Sequence, residues 1–177
     1  MGSEMCIRDR YGTEALSTLR IEMGHVAGSE LDGRTIPYDN ALEGLVSKKK
    51  DFIGKRSLQR SAFISENRQR IVGVVPIDKK TSIPEGSHLV KDAKAPLPNP
   101  KLGHISASCW SVEYDNPFSL AILKDGKNMI GEQLFAMSPL KNKIIPVEIV
   151  SSHYVDPKGE RVRSVSYTHL RAHETSL

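Results

Sequence analysis

Residues 70–77 read RIVGVVPI, and five of these eight residues are valine or isoleucine. β-branched side chains suit a pleated, half-buried surface, so the stretch predicts a strand. Residues 87–90, 103–112, 118–124 (FSLAILK), 130–137 and 143–150 (KIIPVEIV) carry similar runs and read as further strands. Between them, residues 81–86 and 95–100 read as turns, punctuated by Pro84, Pro96, Pro98 and Pro100. Short strands recurring every ~10–15 residues predict a small antiparallel barrel or sandwich.

Upstream the pattern changes. In residues 12–23, Ala15, Leu16, Leu19 and Met23 recur at spacings of three and four, the stripe of a helix. Thr13 is placed to cap its start, and Gly24 can take the positive φ that stops it. The following GHVAGSELDGRTIPYDN, rich in Gly, Asp and Asn, reads as an irregular loop. Residues 42–46 read as a strand or a helical turn, 51–54 (DFIG) as a turn, and 55–62 as a short helix carrying Leu58. A boundary is expected near residues 64–68. The fold class predicted is mostly β with some α: a helix and linker over residues 11–64, then a barrel domain over residues 65–160.

The two ends match nothing beside them. MCIRD near the start and SYTHLRAHET near the end resemble in-frame translations of a sequencing-library adaptor. Neither has the charged and apolar regions of a signal peptide. Residues 1–10 and 164–177 are therefore expected to be artefactual tails, and the chain a fragment of a longer protein. His169, His173 and Glu174 fall in the second tail. Their spacing of four then one, without cysteine, is not a metal-site pattern.

The chain has 25 Lys+Arg and 21 Asp+Glu, and the tails hold three of each sign, so the interior keeps the whole net charge of +4. That is mild. The run Lys48, Lys49, Lys50 reads as a solvated face ahead of an anion or nucleic-acid patch. No apolar run reaches the ~18 residues of a membrane span, so neither nucleic acid nor membrane is an expected partner. Cys6 lies in the opening tail, which leaves Cys109 alone; no disulfide framework follows, and a reducing cytoplasm suits the chain.

Phosphate loops, GxGxxG and paired cysteines are missing from the sequence. His104 and Ser106 lie in the stretch GHIS, but no strand–turn–helix elbow surrounds them, and a core or rim histidine is the favoured reading. Cys109, beside Trp110 within a strand pattern, reads as a buried structural thiol. Arg20 and Glu22 remain. Two residues apart, they point about 200° apart on a helix, so one of them must approach the buried side or a cleft. An arginine there wants a carboxylate or a planar ligand that can take its paired donors. An ordinary structural ion pair is the favoured reading from the residues alone.

Several motifs occur in order: Leu19-Arg20-Ile21-Glu22-Met23-Gly24, Gly28-Ser29-Glu30-Leu31-Asp32, Thr35-Ile36-Pro37, Asp51-Phe52-Ile53-Gly54, Gly103-His104-Ile105-Ser106 and Ile130-Gly131-Glu132. Together they resemble the glycine-cleavage T-protein (aminomethyltransferase) family around its C-terminal barrel. Within that family the opening YGTEAL, the LRIEMGHVAG segment and the KKDFIG turn are closer to the branch of alpha subunits of heterotetrameric sarcosine oxidase. The T-protein's A-R-D is replaced here by Ala15-Leu16-Ser17, and its folate-facing tyrosine by Ala27.

The resemblance implies an aminomethyltransferase-type barrel and a tetrahydrofolate site. It implies that Arg20 helps to hold the pterin, that Glu22 orients Arg20 or the loop, and that Thr35 and Pro37 shape the loop closing on the folate. Ile36 stands where the family prefers threonine, which puts that loop's side-chain hydrogen bond in doubt. The parent would demethylate sarcosine to glycine, yield hydrogen peroxide, and pass the one-carbon unit to tetrahydrofolate. FAD, FMN and NAD, and the family's catalytic aspartate, would lie outside this chain, in the rest of the subunit or in the other subunits. No catalytic residue is expected here, and the chain alone is expected to be inactive. A true aminomethyltransferase and a non-enzymatic folate-binding barrel remain the alternatives. Were the helix's larger domain missing, its stripe would lack a partner, and the helix would be loosely held or would pack against the barrel.

Overall fold

The strand read at residues 70–77 runs Gln69–Pro76 (β1) and is buried from Ile71 onward. The structure is a computed structural model that describes residues 12–65, 67–96 and 98–163; both tails, with His169, His173 and Glu174, lie outside them. Five more strands follow: β2 (His88–Val90), β3 (Gly103–Ser111), β4 (Asn116–Lys124), β5 (Gln133–Ser138) and β6 (Lys143–Val150). All pairings are antiparallel, and they close a barrel in the order β1-β4-β3-β2-β5-β6. The barrel alternative of the sequence reading is the one realised.

The unbroken apolar runs of β1 and β4 have a specific cause. Side chains alternate across a strand. Val72 and Val74 of β1, with Ala121 and Leu123 of β4, point into the barrel with Leu89, Ile105, Leu134, Ile145, Val147 and Ile149. Ile71 and Val75, with Phe118 and Leu120, point the other way and pack on Ile21 and Ala107. Both faces of these strands are buried. β6 instead alternates: Ile145, Val147 and Ile149 are buried, while Ile144, Pro146 and Glu148 are exposed. One face of that strand meets water, as antiparallel sheets permit.

Ile21 belongs to the upstream helix, Thr13–Glu22 (α1). This helix lies on β3 and β4. It docks by its last turn rather than by the apolar stripe: Leu16 and Leu19 stay 51% and 55% exposed, while Ile21 and Glu22 are buried. Thr13 is the first helical residue and not the cap, which is Gly12 with no side-chain cap bond. Gly24 does end the helix, at φ 69°, and a Cβ there would stand 2.5 Å from the Ser152 carbonyl oxygen. The loop that follows holds two 3-10 turns, Gly28–Glu30 and Glu43–Leu45. The helix read at residues 55–62 is two short pieces, Lys55–Leu58 (α2) and Ser61–Ile64 (α3), parted where Arg60 turns extended. A last short helix, Glu160–Arg163 (α4), follows the barrel.

Residues 130–132, read as the start of a strand, are a turn. Gly131 takes φ 90°, and its N–H donates to Ile149. Gly103 is required by close approach, since a Cβ there would strike the Ile122 carbonyl oxygen and come within 2.9 Å of the Leu123 Cα. Both obstacles are backbone, so neither can swing away. Gly103→Ala is expected to cost about 2 kcal/mol, within the usual range for overpacking. A lowered urea midpoint at unchanged slope would show it; an unchanged midpoint would contradict the close approach.

Candidate functional site

Arg20 sits in the last turn of α1, where the helix dipole favours a cation. Its Nη1 donates to the His25 carbonyl at 3.3 Å and to Glu30 Oε2 at 3.2 Å. Glu30 closes a 3-10 turn. Its Oε2 also accepts the Ala27 N–H at 2.9 Å, one half of a capping box. The Glu30 side chain is fully buried, and that of Arg20 is 23% exposed. Glu30 Oε1 is buried as well and has no hydrogen-bond partner among the described residues.

Glu22 points elsewhere. Its Oε1 accepts the Val112 N–H at 3.1 Å, and its backbone carbonyl accepts the N–H groups of Tyr154 and Val155. Of the Arg20/Glu22 pair, Glu22 is therefore the one that turns inward, pinning α1 to the barrel, while the carboxylate beside Arg20 is Glu30. Sequence reasoning quoted Glu30 inside a motif and gave it no role. Its partners are ten and three residues away across an irregular loop, and no helical spacing signals such contacts.

Thr35 donates through Oγ1 to the Asp32 carbonyl at 3.0 Å and reaches the Glu30 carbonyl at 3.5 Å. Arg20 and Thr35 thus meet on the Glu30 residue from two sides. Pro37 stands apart from them: its carbonyl accepts the N–H groups of Asn40 and Leu42, closing a turn. Ile36, lacking a hydroxyl, is served through its backbone, because its N–H donates to Asp39 Oδ2 at 3.0 Å.

Asp39 is the anchor of this loop. It is buried, and both its oxygens are taken by Arg68, with the Nε bond 2.9 Å long. Arg70 adds a bond to the Tyr38 carbonyl, and the Asp39 carbonyl accepts the Ile71 N–H at the start of the barrel. A polar cleft of about 280 Å³ lies here between Asp32, Arg34, Thr35, Asp39, Arg68 and His104. Burial, then the nearby charges of Lys101 and His88, push the His104 pKa below its ordinary 6.5, so the ring is neutral at physiological pH. A separate apolar cleft of about 430 Å³ is lined by Pro37, Leu42, Leu45, Val46, Phe52 and Leu58. Neither lining includes Arg20 or Glu22. The four residues named from sequence therefore fall into three places: Arg20 with Thr35, Glu22 under the helix, and Pro37 at the apolar cleft.

Cys109 is half-buried against the outer core cluster. Desolvation, with Glu22 nearby adding to it, pushes its thiol up to about 12. The thiolate is the reactive form, so Cys109 is no nucleophile at neutral pH. Iodoacetamide at pH 8 is expected to label the Cys109 peptide about a hundredfold more slowly in the folded chain than in urea. Equal rates, followed by mass spectrometry, would contradict the burial.

No family model matches the chain. Curated relatives do match. The chain is 38% identical over 154 residues to the sarcosine oxidase subunit alpha of Rhizobium meliloti (strain 1021), covering 86% of this chain and 16% of that protein. It is 36% identical over 154 residues to the sarcosine oxidase subunit alpha of Corynebacterium sp. (strain P-1), and 37% over 154 residues to that of Corynebacterium sp. (strain U-96). Each of these alignments covers 85% of this chain and 16% of the relative, so the chain spans about a sixth of the length of the curated relatives it matches. Among solved structures it is similar to the glycine cleavage system aminomethyltransferase T from Bartonella henselae, with a TM-score of 0.65, 23% identity, and coverage of 81% of this chain and 38% of that one. At that identity the likeness concerns the fold. Over those 154 residues, at 36–38% identity, the chain is similar to one stretch of sarcosine oxidase alpha subunits.

Proposed function

We propose that this chain is the end of the folate-binding half, together with the barrel, of a sarcosine oxidase alpha subunit. On this reading the parent enzyme oxidatively demethylates sarcosine to glycine and forms hydrogen peroxide. Tetrahydrofolate accepts the one-carbon unit and becomes methylene-tetrahydrofolate. The flavins, the dinucleotide and the sarcosine site belong to parts of the parent complex outside this chain, in a cytoplasmic assembly with other subunits.

The observation that carries the reading is the state of Arg20. Among the described residues its hydrogen bonds leave from Nη1, and its head is partly exposed at the end of a pinned helix. A guanidinium held at one corner keeps donors for a flat ring edge with several acceptors, and a pterin is such a ring. The donor set therefore fits folate. Arg20 holds the ring edge. Glu22 fixes the helix that carries Arg20, and Thr35 and Pro37 shape the loop beside it. None of these four groups moves a proton or attacks a carbon, so the chain by itself binds and orients.

Catalysis by orientation needs all the reacting groups in place. This chain alone is therefore expected to give no peroxide from sarcosine in a peroxidase-coupled assay. Sarcosine-dependent peroxide from the purified chain would overturn the proposal.

A further inference from the structure

Two arginine–carboxylate pairs in this molecule are built differently. Arg68 meets Asp39 by its fork, Nε to Oδ1 and Nη2 to Oδ2, and both carboxylate oxygens are used. That is the geometry of a pair whose task is to hold two segments together. Arg20 meets Glu30 at one point only, Nη1 to Oε2, and that oxygen is shared with the Ala27 N–H. The Glu30 side chain is fully buried, yet its Oε1 has no partner among the described residues. A buried carboxylate oxygen left without a hydrogen bond is costly, and a native structure that keeps one calls for a reason.

We propose that Glu30 is the positioning residue for Arg20: its buried carboxylate, fixed in direction by the Ala27 N–H, holds one corner of the guanidinium so that the remaining donors face the ligand. This rests on the folate reading of Arg20 given above and adds a residue to that site. Three features support it. Burial keeps water from competing for the Glu30 oxygens. The turn Gly28–Glu30 is tied to the site loop by the Thr35 hydroxyl. The second bond of Nη1, 3.3 Å to the His25 carbonyl, adds a backbone acceptor to the same corner of the head.

The test uses the intact parent complex, with tetrahydrofolate binding followed by quenching of protein fluorescence. Glu30→Gln keeps the shape and removes the charge. It is expected to raise the Kd about ten-fold, the scale of one charge-assisted hydrogen bond. The KM for tetrahydrofolate should rise in parallel, with kcat at saturating tetrahydrofolate nearly unchanged. In an Arg20→Ala background, Glu30→Gln should add no further loss, because the group it positions is gone. Equal losses in both backgrounds would mean that Glu30 serves only the fold, and would overturn the inference. A Kd unchanged by Glu30→Gln while Arg20→Ala weakens binding would overturn this inference alone. A Kd unchanged by Arg20→Ala would remove the folate reading of Arg20 and the inference with it. Should Glu30→Gln fail to assemble, Glu30→Asp decides: an unchanged Kd in that shortened variant overturns the proposal, and a raised Kd supports it.

Discussion

Asp39→Ala is expected to cost about 3 kcal/mol of folding stability, the lower end for breaking a buried ion pair. The substitution leaves the largely buried Arg68 without a carboxylate, holding only the Ala62 and Arg34 carbonyls among the described residues, and removes the acceptor of the Ile36 N–H. The lower end applies because the Arg68 head reaches the rim of the polar cleft. Asp39→Asn separates the two contributions, since an amide oxygen can still accept from Ile36 but carries no charge. It should recover part of the loss. Urea unfolding of both variants checks this, and a loss below about 1 kcal/mol for Asp39→Ala would rank the pair with ordinary surface bridges.

The larger effect belongs to Phe118. It is fully buried, stacked on Tyr154 with ring centroids 4.3 Å apart and planes 7° apart. It also fills the space left by Gly73, where a Cβ would stand 2.7 Å from its ring. Phe118→Ala is expected to cost about 4 kcal/mol, as large-to-small changes of a core aromatic do. The damage should spread to α1, because Ile21 rests on the same cluster. Faster hydrogen exchange at the Ile21 and Glu22 amides would accompany the loss. Exchange that rises in the barrel and not in the last turn of α1 would contradict the shared packing.

The barrel was legible because its strands are β-branched and apolar runs set between proline-marked turns; the alternating burial at residues 144–149 emerges only with the fold. β1 and β4, buried on both faces, show no such alternation and carry the densest of these runs. Local periodicity failed at the helix. Ala15, Leu16, Leu19 and Met23 make a proper stripe, yet Leu16 and Leu19 are exposed among the described residues. The face that docks is chosen by Glu22, whose bonds to Val112, Tyr154 and Val155 span some ninety and one hundred and thirty residues of chain. No window of sequence contains both ends of such contacts. Residues 130–132 were misread for a related reason: Ile130 looks like a strand residue, but Gly131 spends its N–H on Ile149 and turns the chain. At the candidate site, the two-residue spacing of Arg20 and Glu22 was enough to set them on different sides of the helix. Glu30 was hidden, since a capping glutamate behind Ala27 lacks the serine or threonine that would announce it.

The ring of strands is closed by its first and last members, with Gly73 opposite Val150 and Pro76 opposite Val147. During synthesis, β1 leaves the ribosome about seventy residues before the partner that seals the ring. At ~5–20 residues per second that is a wait of several seconds to over ten. Until then β1 offers one open edge, with β4 alone able to cover the other. The first strand of the barrel therefore waits on the last, and the nascent chain is open to a chaperone, or to a neighbouring ribosome's product, for as long as β6 is unmade.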